Sequence, residues 1–167
     1  MHGSLADEKV FKEVYLKHSK DVRNFLFYKC GDQALAEDFM QEAFLRLWTA
    51  RDKVPAEKAV GFLFTVGNRL FLDHIKHRKV NLKFQQRQRN RSDKEDPEFL
   101  YQQQEFKERL EKAISDMPEK WRVAFLMSRI DKMKYSEIAE RLDISVKAVE
   151  KRMHNALHSL RSIHKKI

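Results

Sequence analysis

From Gln85 to Asp96 the chain runs without a single apolar side chain, and this run limits what the remainder can build. Such a segment has nothing to bury and cannot offset the entropy lost on ordering. It divides the 167 residues into two stretches, each long enough for a small domain and too short for a large core. Apolar residues thin out to Val80, Leu82 and Phe84 just before it, and Pro97 follows it. The expected organisation is a first domain over 1–80, a linker over 81–104 and a second domain over 105–167.

Both stretches carry apolar residues at helical spacing, as in Val10, Val14, Val22, Phe25 and Leu26, and again in Phe44, Leu47 and Trp48. With only 4 Gly and 3 Pro against abundant Lys, Glu, Gln, Leu, Arg and Ala, the chain favours long helices over a sheet rich in turns. The fold class is all-α. Gly31-Asp32 breaks a first helix, a second is expected from Gln33 to Ala50, and a loop over Arg51–Lys58, marked by Pro55, precedes a third at Ala59–Arg78. Beyond the linker, helices are expected at Pro97–Ser115 and Glu119–Ile130, interrupted at Met117-Pro118. No internal repeat is visible.

A net charge of +9 favours a polyanionic partner, and its distribution says more than its size. Asp73–Ser92 holds seven Lys or Arg against one acid, and Arg141–Ile167 holds seven against two. Gly31–Leu47 is acidic instead. The single Cys30 can form no internal disulfide, which fits a reducing cytoplasm and a packing role. No apolar run reaches the roughly 18 to 20 residues of a membrane span, so a soluble, cytoplasmic protein with no direct membrane insertion is expected. His74 with His77, and His154 with His158, lack a third metal ligand of convincing placement. There is no glycine-rich phosphate loop and no motif joining Ser, His and Asp into a triad. Neither a metal, a cofactor nor an enzymatic activity is expected.

Ser136–Leu142 can form a short helix with Ser136 as its cap and Ile138, Ala139 and Leu142 turned inward. Asp143-Ile144-Ser145 is a turn. Ala139 gives two steeply crossing helices the small side chain they need, Ile144 plugs the corner, and Ser145 can cap the helix that follows. There Val149, Met153, Ala156, Leu157 and Leu160 form a buried stripe, leaving Lys147, Glu150, Lys151, His154, Asn155 and His158 outside. A helix with such a face fits the major groove, where Lys and Asn bond base edges and Glu150 can accept from a cytosine amino group. Arg152 and Arg141 suit phosphate contacts. An ordinary amphipathic pair with a solvated charged face is the competing reading. The turn, the small Ala139, the capping serine and the basic face together favour DNA binding.

These residues resemble region 4 of bacterial sigma factors, through Leu110–Pro118, Tyr135–Leu142 and Ser145–Met153. Helix-turn-helix modules of response regulators look similar at this level, so the first half of the chain separates the readings. Ala36–Trp48 resembles sigma region 2.2, which in the family grips the clamp helices of the polymerase β′ subunit. The resemblance implies core-polymerase contacts at Asp38, Gln41, Phe44 and Trp48, spaced to share roughly one helical face. Ala59–Arg78 resembles regions 2.3 to 2.4, which in the family melt the minus-10 element and hold unpaired bases.

Thr65, Arg69, Asp73 and Lys76 share a helical face there, partly opposite Leu63, Val66, Leu70 and Phe71, and the loop over Thr49–Val60 could pocket a flipped base. The family often has Asn where this chain has Arg69 after Asn68, so either residue could bond a base. The candidate minus-10 contacts are Asn68, Arg69, Asp73 and Lys76. Those for the minus-35 element are Lys147, Glu150, Lys151, Arg152, His154 and Asn155. Without regions 1 and 3, the chain resembles the two-domain extracytoplasmic-function group. This implies core RNA polymerase (β′ clamp helices and β flap), promoter DNA and an anti-sigma factor as partners. It also implies a linker that orders only on holoenzyme assembly. The alternative is a stand-alone regulator that binds an operator as a dimer, and the acidic and aromatic Asp38–Trp48 stretch discriminates between the two.

Overall fold

A computed structural model describes residues 3–77 and 97–164, and every element of regular structure among them is helical. The first three helices are α1 (Glu8–Cys30), α2 (Gln33–Thr49) and α3 (Ala59–His77), with a single 3-10 turn at Ala56–Lys58 before α3. Their ends follow from local chemistry. Asp7 accepts a hydrogen bond from the Lys9 amide at 2.9 Å at the start of α1, and Asp32 accepts from the Leu35 amide at 3.0 Å at the start of α2. Between the two helices Gly31 takes the left-handed conformation (φ 68°) that a side chain would oppose, and its amide donates to the Phe27 carbonyl.

Val14, Val22 and Leu26 of α1, Met40, Ala43 and Leu47 of α2, and Leu63, Phe64 and Phe71 of α3 are buried together. Gly67 of α3 permits the close approach of α1, since a Cβ there would stand 3.2 Å from Leu26 Cδ2. An aromatic cluster seals the outer α1–α2 seam: the Phe44 ring lies 4.9 Å from Tyr15, and Phe11 lies 4.9 Å from Trp48.

The second half comprises α4 (Pro97–Asp116), α5 (Glu119–Arg129), α6 (Tyr135–Leu142) and α7 (Val146–His164). Residues 97–104, which the sequence places at the end of the expected linker and at the start of the expected helix Pro97–Ser115, form the first turns of α4. Proline suits the first helical position, and further along α4 the pairs Gln104 with Glu108, Glu105 with Arg109 and Lys107 with Glu111 support the helix at four-residue spacing. The rest of the expected linker lies outside the described residues. Val123, Ala124 and Met127 of α5 pack with Ile138 and Ala139 of α6 and with Val149 and Met153 of α7.

The two halves are docked, α5 against α1 and α6 against α3, and their buried residues form one continuous cluster. Several specific polar contacts also cross this boundary. Arg122 of α5, 3% exposed, donates through Nε to the Tyr28 carbonyl at 3.0 Å, while its Nη1 reaches the Ser115 and Met117 carbonyls at 3.2 and 2.7 Å. Lys29 of α1 is buried, pairs with Glu119, and sits 5.3 and 5.0 Å from the Phe25 and Phe71 ring centres. Asp131, just after α5, accepts from Asn24 Nδ2 at 2.8 Å and from the Tyr28 hydroxyl at 2.9 Å.

Two titrations at this boundary have opposite signs. Burial, reinforced by the charges of Arg141 and Lys17 and opposed by Asp21, lowers the pKa of His18 from its ordinary 6.5. The stability His18 contributes is therefore present above 6.5 and lost as pH falls through its lowered value. Burial raises Asp131 above its ordinary 3.8, against the bonds from Asn24 and Tyr28, so its contribution is fully present only below 3.8 and is lost as pH rises through the raised value. Going from about pH 7.5 to about pH 5.5, the histidine window, should lower the melting temperature, and His18→Leu should lessen that drop. Equal drops in both proteins would refute this assignment. Phe44→Ala should cost about 3–5 kcal/mol in urea denaturation because it empties the aromatic seam. A cost under about 1 kcal/mol would show that Phe44 is no part of the core.

Candidate nucleic-acid interface

The helix-turn-helix is built as its sequence requires, with one change of cap. Helix α6 starts at Tyr135, one residue earlier than expected, so Ser136 lies inside the first turn and does not cap. Glu137 supplies the bond instead, its carboxylate accepting from the Lys134 amide at 2.7 Å. Asp143 closes α6 in the left-handed region (φ 52°), a conformation aspartate tolerates better than most residues. The Ile144 amide donates to the Ala139 carbonyl at 3.0 Å, fixing the corner, and Ser145 Oγ accepts from the Ala148 amide at 3.1 Å. Val149, Met153 and Ala156 are buried, whereas Leu157 and Leu160 are only partly so.

The outer face of α7 presents Lys147, Glu150, Lys151, His154 and His158 to solvent, and Arg161 continues the same row. Arg152 and Asn155 flank it, half-buried. Four of the six candidate minus-35 residues, Lys147, Glu150, Lys151 and His154, thus share one exposed surface, with Arg152 and Asn155 beside it, within reach of a single groove. Arg141 departs from its expected setting as a phosphate contact. Its guanidinium carbon lies 5.6 Å from the Phe64 ring of α3, and its Nε is buried without a hydrogen-bond partner. Docking of α6 on α3 draws this side chain inward.

On α3, Thr65, Arg69, Asp73 and Lys76 are exposed along one face, while Leu63, Val66 and Phe71 are buried opposite and Leu70 is half-buried. Asn68 is half-buried at the edge of that face, and Arg69 stands fully outside. Asp73 and Lys76 approach to 3.5 Å as a solvent-exposed pair. Such a pair adds little stability, leaving both groups available to a ligand. Leu72 and Ile75 are also exposed and, with Arg69, Asp73 and Lys76, line an open groove. The sequence reading passed over both. An apolar strip between charged groups suits unpaired bases, which have apolar faces and charged backbones.

The third surface is on α2. Asp38 and Gln41 are exposed, Gln41 donating to Glu37 at 3.3 Å. Phe44 does not share their face: it is 4% exposed and packed in the α1–α2 seam, because at this register it falls beside Met40, Ala43 and Leu47. The exposed position is Leu45, 59% accessible and four residues beyond Gln41. A four-residue step from Gln41 could have found it, but a three-residue step and the family resemblance selected Phe44. Trp48 is half-buried, with Arg51 stacked on its ring at 4.2 Å and bonded to its carbonyl at 2.8 Å. This contact also orders the start of the loop that leads to α3.

Charge therefore separates along the chain, with an acidic outer face on α2 and basic or mixed faces on α3 and α7. No helix among the described residues is long and apolar enough to cross a membrane. Cys30 is buried, its thiol donating to the Asp32 carbonyl at 3.3 Å, and burial raises its pKa.

Comparison with known proteins agrees with this arrangement. The family model described as Sigma-70 region 2 matches residues 14–80, and that described as Sigma-70, region 4 matches residues 107–160. The ECF RNA polymerase sigma factor SigE of Mycolicibacterium smegmatis is 26% identical over 162 residues, covering 95% of this chain, which spans 63% of that protein's length. The ECF RNA polymerase sigma factor SigM of Bacillus subtilis is 26% identical over 133 residues, 80% of this chain and 82% of that one. In fold, the chain is similar to the sigma factor RpoE of Bartonella quintana in its complex with the anti-sigma factor NepR. That match has a TM-score of 0.64 at 16% identity and covers 93% of this chain and 96% of the other. With both region matches in order along one chain and relatives of this kind over most of its length, the protein belongs to the extracytoplasmic-function group of the sigma-70 family.

Proposed function

We propose that the protein binds core RNA polymerase and directs promoter-specific transcription initiation. The observation that carries this reading is the presence, on one chain and in the family's order, of three distinct exposed faces. Asp38, Gln41 and Leu45 mark the first, Arg69 to Lys76 the second, and Lys147 to His158 the third. In this reading α2 docks on the β′ clamp helices, with Trp48 at the margin of the contact and Phe44 supporting the helix from beneath. Helix α3 engages the minus-10 element through Asn68, Arg69, Asp73 and Lys76, with Leu72 and Ile75 against unstacked bases. The second domain docks on the β flap. Helix α7 reads the minus-35 element through Lys147, Glu150, Lys151, His154 and Asn155, and Arg152 binds phosphate.

Catalysis stays with the core enzyme, and the protein acts in the cytoplasm beside it. An anti-sigma factor completes the set of partners, a reading supported by the fold shared with an RpoE captured on NepR. A dimeric operator binder would leave the acidic face of α2 without a use.

Run-off transcription with purified core polymerase across a promoter library tests the reading directly. New start sites should appear when the protein is added, and their absence would defeat it. On a promoter so found, Lys151→Ala or Asn155→Ala should relax preference in the minus-35 element, at about 1–3 kcal/mol per lost base contact. Asp38→Ala, Gln41→Ala and Leu45→Ala should weaken core binding and leave that preference intact. Equal effects of the two groups on core affinity would contradict the division of labour.

A further inference from the structure

The turn that carries the chain from α5 into α6 holds a residue ill suited to its backbone. The Ile130 and Asp131 amides donate to the Leu126 carbonyl at 2.8 and 3.4 Å, and the Met133 amide donates to the Met127 carbonyl at 3.2 Å. These bonds reverse the chain at the end of α5. Lys132, lying between them, takes the left-handed conformation (φ 59°). Glycine meets no steric cost there, and asparagine or aspartate meets less than other residues do. Asp143 (φ 52°), which also has a positive φ, belongs to that tolerant group. Lysine does not, because its Cβ crowds the following carbonyl oxygen.

No contact among the described residues offsets this strain. The Lys132 side chain is exposed and makes no hydrogen bond or ion pair to a described residue. It lines a crevice with Asp21, Asp131, Glu137 and Arg141, yet Asp131 accepts from Asn24 and Tyr28, and Glu137 accepts from the Lys134 amide. Met133 packs against the core, whereas Lys132 and Lys134 on either side of it are exposed. Arg129, also exposed, adds a further cation to the same turn.

A side chain kept in a costly conformation without internal benefit points to a use outside the molecule. Its place in the fold says which use. In a helix-turn-helix the first helix crosses the phosphate backbone beside the groove that the second helix enters. Here the first helix is α6, and the turn leads into its N-terminus, the end whose dipole favours anions. Glycine would fit the turn and bring no charge. Lysine brings a cation on a long stem, suited to a phosphate.

We infer that Lys132, with Lys134 beside it, is a phosphate contact that seats the helix-turn-helix on the promoter backbone at the minus-35 element, and that the turn carries lysine in a glycine conformation for that contact. The inference rests on the promoter reading above. A phosphate contact fixes register and adds affinity without reading sequence, so its signature differs from that of Lys151 and Asn155.

The test compares Lys132→Gly, Lys132→Ala and Lys132→Arg in the full-length chain. Lys132→Gly should raise the melting temperature by about 2 °C as the left-handed strain is relieved, and Lys132→Ala, which keeps the strain, should leave it within about 1 °C. Affinity is read by fluorescence anisotropy between about 50 and 200 mM salt, on a labelled duplex bearing the minus-35 element of a promoter found by run-off transcription. The glycine and alanine variants should both bind about eightfold less tightly at about 0.1 M salt, and the slope of log affinity against log salt should shrink by about 1. Preference among minus-35 sequences should stay as it is, and Lys132→Arg should keep both affinity and slope. Lys12→Ala, at an exposed position on α1, makes the same change in charge away from α6 and should alter neither.

A lower melting temperature in Lys132→Gly would overturn the inference, since the lysine would then be serving the fold. So would unchanged affinity, an altered minus-35 preference, or an equal loss in Lys12→Ala. If run-off transcription gives no start sites, the polymerase reading falls by itself, and the same variants on a mixed-sequence duplex then decide whether Lys132 holds phosphate. Failure of the unmutated chain to bind either duplex would count against the phosphate contact. Start sites together with unchanged DNA affinity in the Lys132 variants defeat this inference alone.

Discussion

The buried guanidinium of Arg122 is the contact on which the arrangement of this molecule depends. It donates to carbonyls at the end of α4 and in the turn after it, and to Tyr28 near the end of α1, so one side chain fixes α5 both within its own half and against the other. Removing a charge from water is costly, and burial lowers the pKa of Arg122 accordingly, with Glu119 opposing that shift. The Ser115 and Met117 carbonyls offset part of that cost within its own half, and the Tyr28 carbonyl adds its share only while the two halves are together. Lys29 follows the same logic from the other side, since its burial is supported by Glu119 and by the faces of Phe25 and Phe71. These contacts hold register more than they add stability, because a buried ionic contact must first overcome its own desolvation.

This arrangement separates the work of the surfaces. The outer face of α2 remains open in the docked form, and so does the outer face of α7, whereas Arg141 on α6 does not. If the surfaces act as proposed, the α2 face stays accessible to polymerase while Arg141 is drawn away from DNA. Weak contacts at several sites on one tethered chain can still give strong overall binding once geometry allows them to act together.

Much of the fold was legible because local chemistry sets it. Gly31-Asp32, Pro55 and Met117-Pro118 mark breaks, helices α2 and α5 end within a residue of where periodicity and capping place them, and α3 begins at Ala59 as expected. The faces of α3 and α7 follow from three- and four-residue spacing. What escaped was decided by packing partners distant in sequence. Phe44 was placed on the outer face by its three-residue step from Gln41 and by the family resemblance, but the ring finds Tyr15 and Phe11 of α1. Arg141 has the residue type of a phosphate contact, and only the docking of α6 on Phe64 reveals its other setting. Nothing local to Asn24, Tyr28 or Asp131 announces that they meet across more than 100 residues. Polar contacts of that kind leave no periodic signal, and the linker composition argued for two units without saying whether they touch.

Small-angle scattering from the free, full-length protein at neutral pH measures the central point most directly. A docked chain of this length should give a radius of gyration of roughly 15 Å. Two domains apart on a linker would give a value above roughly 22 Å, and that result would contradict the docked arrangement on which the rest of this account is built.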